Sequence, residues 1–346
     1  MQISGGRGCL VEALGVPGLR VARLAQHPAQ IVELAPVIYF HHGQNLVDNG
    51  AVGSEWMVDE RYDELIAEGL IRSAIIVGIY NTSDREAEYA GCNIVAKKDQ
   101  YANWVVHTLK PYVDAHYRTR PQAEHTTTLG SSYGGLISHY IAWNFTSVFG
   151  NALTLSTQFA FCTGPAALSE LQSYTGPKKP IRYWIDSGSD EGAQSGGGRS
   201  DYIERNRIFA EGLAQAGWSE LQDVVFLEIP GGQHNQWYWA KRIKKVLYFL
   251  LGHEPPRLAR MDLRTFQSSI SVNAYTYASI DLSYENDFKL TKIFADSSPA
   301  FSLTSSDPSV ATVDTATGQV TGKKSGTVQL TAGFQSLSTS GSVVVQ

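Results

Sequence analysis

The chain is 346 residues long, enough for one large domain with its own core and a smaller second one. Its 28 Lys and Arg stand against 33 Asp and Glu, and no basic stretch interrupts this near-balance, which excludes the electrostatic footprint of a nucleic-acid binder. The cysteines, Cys9, Cys92 and Cys162, lack C-x-x-C spacing; this argues against a zinc site or a disulfide framework and leaves a single Cys92–Cys162 bridge open.

The first residues carry no apolar leader segment, and no apolar run is long enough for a membrane span, so the chain as given reads as soluble, with no signal peptide present. Two short strands, Cys9 to Leu14 and Leu19 to Leu24, are joined through Gly15-Val16-Pro17-Gly18 in a hairpin pattern. Pro36 to Phe40 predicts a buried strand that runs into His41-His42-Gly43-Gln44-Asn45. Asp59 to Leu70 has helical spacing, and Ser73 to Tyr80 is a near-continuous apolar run of the kind found in a central parallel strand. A polar loop, Asn81 to Asn93, precedes a long amphipathic helix through Trp104, Val105, Leu109 and Val113. Strands follow at Thr126 to Thr128, Ala152 to Leu155, Ile181 to Ile185 and Val224 to Ile229, and a helix at Tyr238 to Leu251. Strands alternating with helices predict a doubly wound, mostly parallel α/β sheet. At Gly252-His253-Glu254-Pro255-Pro256 the pattern changes to Ser/Thr/Val-rich short strands, which predicts a linker and a small all-β sandwich, with domains at 1–256 and 257–346.

The stretch Leu129-Gly130-Ser131-Ser132-Tyr133-Gly134-Gly135 carries the chemistry. Gly130-x-Ser132-x-Gly134 between a strand and a helix has the spacing of a nucleophile elbow, in which a serine sits on a strained turn beside a helix N-terminus. A serine hydroxyl needs a base within reach and a third group to orient that base. His234 lies in the Gly-rich loop Pro230-Gly231-Gly232-Gln233-His234-Asn235 after the last strand, where a histidine can swing over the strand tips. The carboxylate is expected after the preceding strand, in Asp186-Ser187-Gly188-Ser189-Asp190-Glu191. Glu191, three residues past Gly188, has the reach to bend back, and Asp190 is its close alternative. Oxyanion donors are expected from the backbone N–H of Tyr133 and of Gln44, with Gly43 letting that loop approach a substrate. His41 and His42 are placed to line the pocket, and Trp56, Trp184, Phe159, Phe161, Trp237 and Trp239 are candidates for an aromatic wall.

Together, Val37 to Asn45, Ile75 to Ile79, Arg85-Glu86-Ala87-Glu88-Tyr89, Gly130 to Gly135 and Gly232 to Asn235 resemble the esterase family that groups esterase-D-like, enterochelin-esterase-like and feruloyl or acetylxylan esterases. The resemblance runs from about Leu19 to Leu251. It implies an α/β-hydrolase fold, Ser132 as nucleophile, His234 as base, Glu191 as the acid, an acyl-enzyme route, no metal or organic cofactor, and feruloyl or acetyl esters among the substrates. The family often has Asp where this chain has His42. Separately, Ser305 to Asp314 with Gly318 to Gly322 and Gly326-Thr327-Val328 looks like a bacterial Ig-like domain of group 2. Such modules imply a secreted or cell-surface location and a contact with a surface or carbohydrate. Two rival functions are an acyltransferase on the same site and a non-catalytic adhesion or carbohydrate-binding protein.

Overall fold

The computed structural model describes residues 10–14, 22–26, 34–47, 54–91, 95–160, 167–191, 201–253, 257–296 and 301–346. These fall in two compact units, one within 1–209 and 228–254, the other within 210–227 and 255–346. All three cysteines, and with them the Cys92–Cys162 pairing, lie outside the described residues. So do the hairpin turn at 15–18 and the glycine-rich stretch at 192–199.

The strands of the first sheet are β1 (Leu10–Leu14), β2 (Ala22–Gln26), β3 (Val37–His41), β4 (Ile75–Ile79), β5 (Thr126–Ser131), β6 (Asn151–Leu155), β7 (Arg182–Gly188) and β8 (Val224–Ile229). They are arranged in the order β1-β2-β4-β3-β5-β6-β7-β8. The pairings β4–β3, β3–β5, β5–β6 and β6–β7 are parallel, whereas β1–β2 and β2–β4 are antiparallel. β3 and β4 are buried along their whole length, which is why both read as unbroken apolar runs. The helices are α1 (Val58–Ala67), α2 (Arg85–Tyr89), α3 (Val95–Trp104), α4 (Lys110–His116), α5 (Tyr133–Asn144), α6 (Ala167–Ser173), α7 (Asp201–Gln215) and α8 (Gln236–Leu251). Between α3 and α4 the helix widens by a π segment at Val105–Leu109, so the long predicted helix forms in three joined pieces.

Two expectations shift here. The stretch Asn81 to Asn93 is not all loop: Arg85–Tyr89 forms α2, whose Tyr89 ring packs on His41, His42 and Tyr101. β7 runs three residues past the predicted end at Ile185, so Asp186, expected at the strand end, lies inside the strand.

Within 257–346 the described strands are β9 to β17, at Leu258–Thr265, Ser269–Ile270, Tyr275–Tyr284, Lys289–Thr291, Phe301–Ser305, Ala311–Asp314, Gln319–Gly322, Gly326–Phe334 and Leu337–Val345. One sheet runs β10-β17-β16-β13; the other runs β12-β11-β15-β14, with β9 also on β11. Along β16, Val328, Leu330, Ala332 and Phe334 are buried while the residues between them face outward, the two-residue period that pins a half-buried strand. Segment 210–227 joins this unit through Glu211, which accepts the Phe294 and Ala295 amides, and through Glu220, paired with the buried Lys292 at 2.8 Å.

Candidate active site

Gly130 is the penultimate residue of β5, where the chain turns sharply into α5. A Cβ on Gly130 would lie 2.5 Å from the carbonyl carbon of Gly134, so strand and helix approach this closely only with glycine there. Between them Ser132 caps α5 with φ 53° and ψ −123°, a left-handed conformation that is costly for a side chain-bearing residue. Its amide is held by the Leu155 carbonyl of β6 at 2.9 Å, and its own carbonyl accepts the Gly135 and Leu136 amides. Tyr133 is the first residue of α5, where backbone N–H groups point out beyond the helix.

Ser132 lines a cavity of about 300 Å³ together with His42, Gln44, Asn81, Arg85, His234 and Trp239. Gln44 belongs to a single 3₁₀ turn, Gly43–Asn45, directly after β3. Its side chain exchanges hydrogen bonds with Asn81, which follows β4. Gly43 has a reason different from the expected one: a Cβ there would meet the Gly78 carbonyl carbon at 2.3 Å. Glycine lets this turn lie on β4 and so sets where Gln44 stands.

His234 precedes α8, which Asn235 caps by accepting the Tyr238 amide at 3.3 Å. The ring is held between Tyr202 and Trp239, at centroid distances of 5.0 and 5.2 Å. Its Nδ1 meets Oε2 of Glu191 at 3.3 Å. Glu191 is buried, and its other oxygen, Oε1, accepts the Gly188 amide at 2.7 Å and the Ser156 hydroxyl. With Oε1 held from two sides, Oε2 is left to the imidazole. Asp190, the alternative carboxylate, is exposed and accepts the Ser189 hydroxyl at 2.9 Å.

Behind Glu191 lies a buried network that the sequence reading missed. Ser156, just beyond β6, donates to Glu191 and accepts from Trp239 Nε1 at 2.8 Å and Arg242 Nη2 at 3.0 Å. Arg242 also binds Asp186, whose second oxygen takes the Trp184 indole N–H at 2.7 Å. Burial pushes the Asp186 carboxyl up to about 6, against the pull of Arg242. One signal was available: Trp239 and Arg242, three apart on α8, share a face, and an arginine on a buried helical face demands a buried acid.

His42 accepts a hydrogen bond at Nε2 from Arg85 Nε, 2.8 Å away. An arginine can only donate, so the His42 proton sits on Nδ1. Burial, reinforced by the Arg85 charge, lowers its pKa to about 3 and keeps the ring neutral. His41, by contrast, does not line the cavity: it is buried against Tyr101 OH at 2.8 Å and Thr128 Oγ1 at 3.0 Å. The aromatic wall is also smaller than expected. Trp56 and Trp239 line the cavity, with ring centroids 5.2 Å apart. Phe159 stacks on Phe209 in the core, Trp184 binds Asp186, Trp237 is exposed beneath Lys241, and Phe161 lies outside the described residues. Among the described residues no group of three or more His, Cys, Asp or Glu is placed to hold a metal ion, and no helix is long and apolar enough to cross a membrane.

The mostly parallel sheet with a serine elbow defines an esterase-like α/β fold. Residues 30–250 match the family model described as "Putative esterase", and the chain belongs to that family. Residues 271–343 match the model of the bacterial Ig-like domain, group 2. Among solved structures, the chain is similar to the enterobactin esterase of Shigella flexneri, with a TM-score of 0.56 and 16% identity over 72% of this chain and 60% of that one. It thus spans less than two thirds of that protein's length. A ferulic acid esterase from Anaeromyces mucronatus aligns with a TM-score of 0.53 and 18% identity, covering 72% of this chain and 92% of its own. Among curated sequences, YbbA of Bacillus subtilis is 19% identical over 229 residues, 63% of this chain and 86% of that protein.

Proposed function

We propose that the protein is a serine carboxylesterase that works through an acyl-enzyme. The observation that carries this reading is that Ser132, held at positive φ on the turn into α5, lines one cavity with His234, whose far nitrogen meets the buried Glu191. Ser132 Oγ attacks the ester carbonyl carbon while His234 Nε2 takes its proton. Glu191 holds the imidazole in the tautomer with its proton on Nδ1 and stabilises the imidazolium that forms. The negative charge on the carbonyl oxygen falls to the backbone N–H groups of Tyr133 and Gln44. Collapse of the tetrahedral species passes the His234 proton to the leaving alcohol, and water, activated by the same histidine, then releases the acid. The ferulic acid esterases among its structural relatives favour aromatic esters as substrates, and Trp56 and Trp239 offer the flat apolar contact such a group needs.

The test is Ser132→Ala with 4-nitrophenyl butyrate, together with labelling by a fluorophosphonate. Turnover is expected to fall by about 10³-fold or more and labelling to disappear. Turnover equal to that of the unaltered protein would refute the nucleophile.

A further inference from the structure

Arg85 is the only Asp, Glu, Lys or Arg among the described residues lining the cavity. Its Nε is committed to His42, and its guanidinium lies 4.9 Å from the centre of the Tyr133 ring. These two contacts fix the plane of the group and leave its two terminal amino groups without a hydrogen-bond partner among the described residues. No carboxylate among the described residues stands within ion-pair distance of it: Asp84 pairs with Lys97 at 2.7 Å, and Glu88 accepts from Thr82 Oγ1 at 3.0 Å. The partner that orients Arg85 is itself uncharged. An aspartate at position 42 would both orient the guanidinium and cancel its charge, whereas the neutral His42 only orients it. The result is a half-buried, preorganised fork with a full positive charge, in the same cavity as Ser132.

We propose that Arg85 is a specificity residue that binds a carboxylate carried by the ester substrate. This rests on the serine-esterase reading above, and it narrows the substrate class to esters with a second, anionic group. Planar two-point binding favours a carboxylate, and no Asp or Glu among the described residues lines the cavity to repel one.

Matched ester pairs decide it. 4-Nitrophenyl valerate and mono-4-nitrophenyl glutarate differ only by a terminal methyl or carboxylate on the acyl side. Methyl 4-acetoxybenzoate and 4-acetoxybenzoate make the same comparison on the alcohol side. The unaltered enzyme is expected to prefer the anionic member of one pair in kcat/KM, and that pair identifies the side of the ester bond that carries the carboxylate. In Arg85→Gln this preference is expected to fall by about 10- to 100-fold, the worth of a charge-assisted hydrogen bond. Arg85→Lys, which keeps the charge without the fork, is expected to retain part of it. A ratio taken within one variant cancels any loss of folded protein. No preference in either pair, or a preference unchanged in Arg85→Gln, overturns the role of Arg85 and leaves the esterase reading standing. If the unaltered protein turns over none of the esters, the esterase reading fails, and calorimetric titration with glutarate then decides Arg85 by itself. Binding lost in Arg85→Gln supports the carboxylate site, and no binding, or binding equal in both proteins, removes it.

Discussion

Replacing Ser156 by alanine is the sharpest test of how the acid is held. Ser156 is fully buried, and its hydroxyl donates to Glu191 Oε1 while accepting from Trp239 Nε1 at 2.8 Å and Arg242 Nη2 at 3.0 Å. The backbone there has φ 50°, which costs serine and alanine alike, so the substitution isolates the hydroxyl. Arg242 keeps Asp186, but the buried Trp239 indole N–H is stranded, at about 1–3 kcal/mol. With the lost bond to Glu191 added, at about 1 kcal/mol, the variant should be less stable by about 2–4 kcal/mol. Glu191 Oε1 then keeps the Gly188 amide at 2.7 Å and a weaker approach of Arg242 at 3.5 Å, so the carboxylate gains freedom to rotate away from His234. A loss of about 10- to 100-fold in kcat with KM nearly unchanged is expected, because a misplaced base weakens the transition state and not substrate binding. Urea unfolding and steady-state kinetics on 4-nitrophenyl butyrate measure both. A variant of full stability and full kcat would show that Ser156 neither satisfies Trp239 nor positions Glu191.

Glu191→Gln should lower kcat by about 10²- to 10⁴-fold while Asp190→Asn stays within about 2-fold, and the reverse pattern would move the acid to Asp190. His139 is buried beside Tyr183 OH at 3.0 Å, and burial lowers its pKa to about 3, so between about pH 3 and 6.5 only the unfolded chain takes up its proton. Stability therefore falls as pH drops from 7 to 5, by about 2 kcal/mol from this residue, and His139→Gln should lose that part of the dependence in urea unfolding. An identical pH dependence in both proteins would show that His139 is not held neutral. Gly43→Ala forces a methyl to 2.3 Å from the Gly78 carbonyl carbon in β4, and should cost about 1–3 kcal/mol in urea unfolding together with a fall in kcat as Gln44 shifts. Unchanged stability and kcat would show that the turn has room to move.

The elbow was legible because its signal is local: strand, glycine, serine, glycine and helix occur within a few residues, and the backbone there must take one strained form. The placement of His234 in the same cavity as Ser132 was legible from chain order and its glycine-rich loop. Ser156, Asp186 and Arg242 were not, because their meeting depends on non-local geometry. Strand register sets Leu155 opposite Asp186, and the helical phase of α8 turns Trp239 and Arg242 onto that edge. The helix α2 escaped for a related reason. Five residues are too short to nucleate on propensity, and their stability comes from Tyr89 packing against His41, His42 and Tyr101. The aromatics among the described residues sorted by burial partner rather than by type: Phe159 and Trp184 found core partners, and Trp56 and Trp239 lined the cavity.

Parallel pairing explains why so many separated residues converge. In β3, β4, β5, β6 and β7 the chain leaves each strand at the same edge, so His42 and Gln44, Asn81 and Arg85, Ser132, Ser156 and Glu191 all follow strand ends on one rim. The antiparallel β1 and β2 add width to the sheet. The rim also separates charge. Behind His234, two buried carboxylates, Glu191 and Asp186, both approach Arg242, and Glu191 faces the ring where an imidazolium would form. On the cavity side Arg85 supplies a positive charge that its neutral neighbour His42 does not cancel. A site polarised in this way stabilises a cation on the base and an anion on the substrate together, and exchanging His42 for aspartate would remove the second half while leaving the first intact.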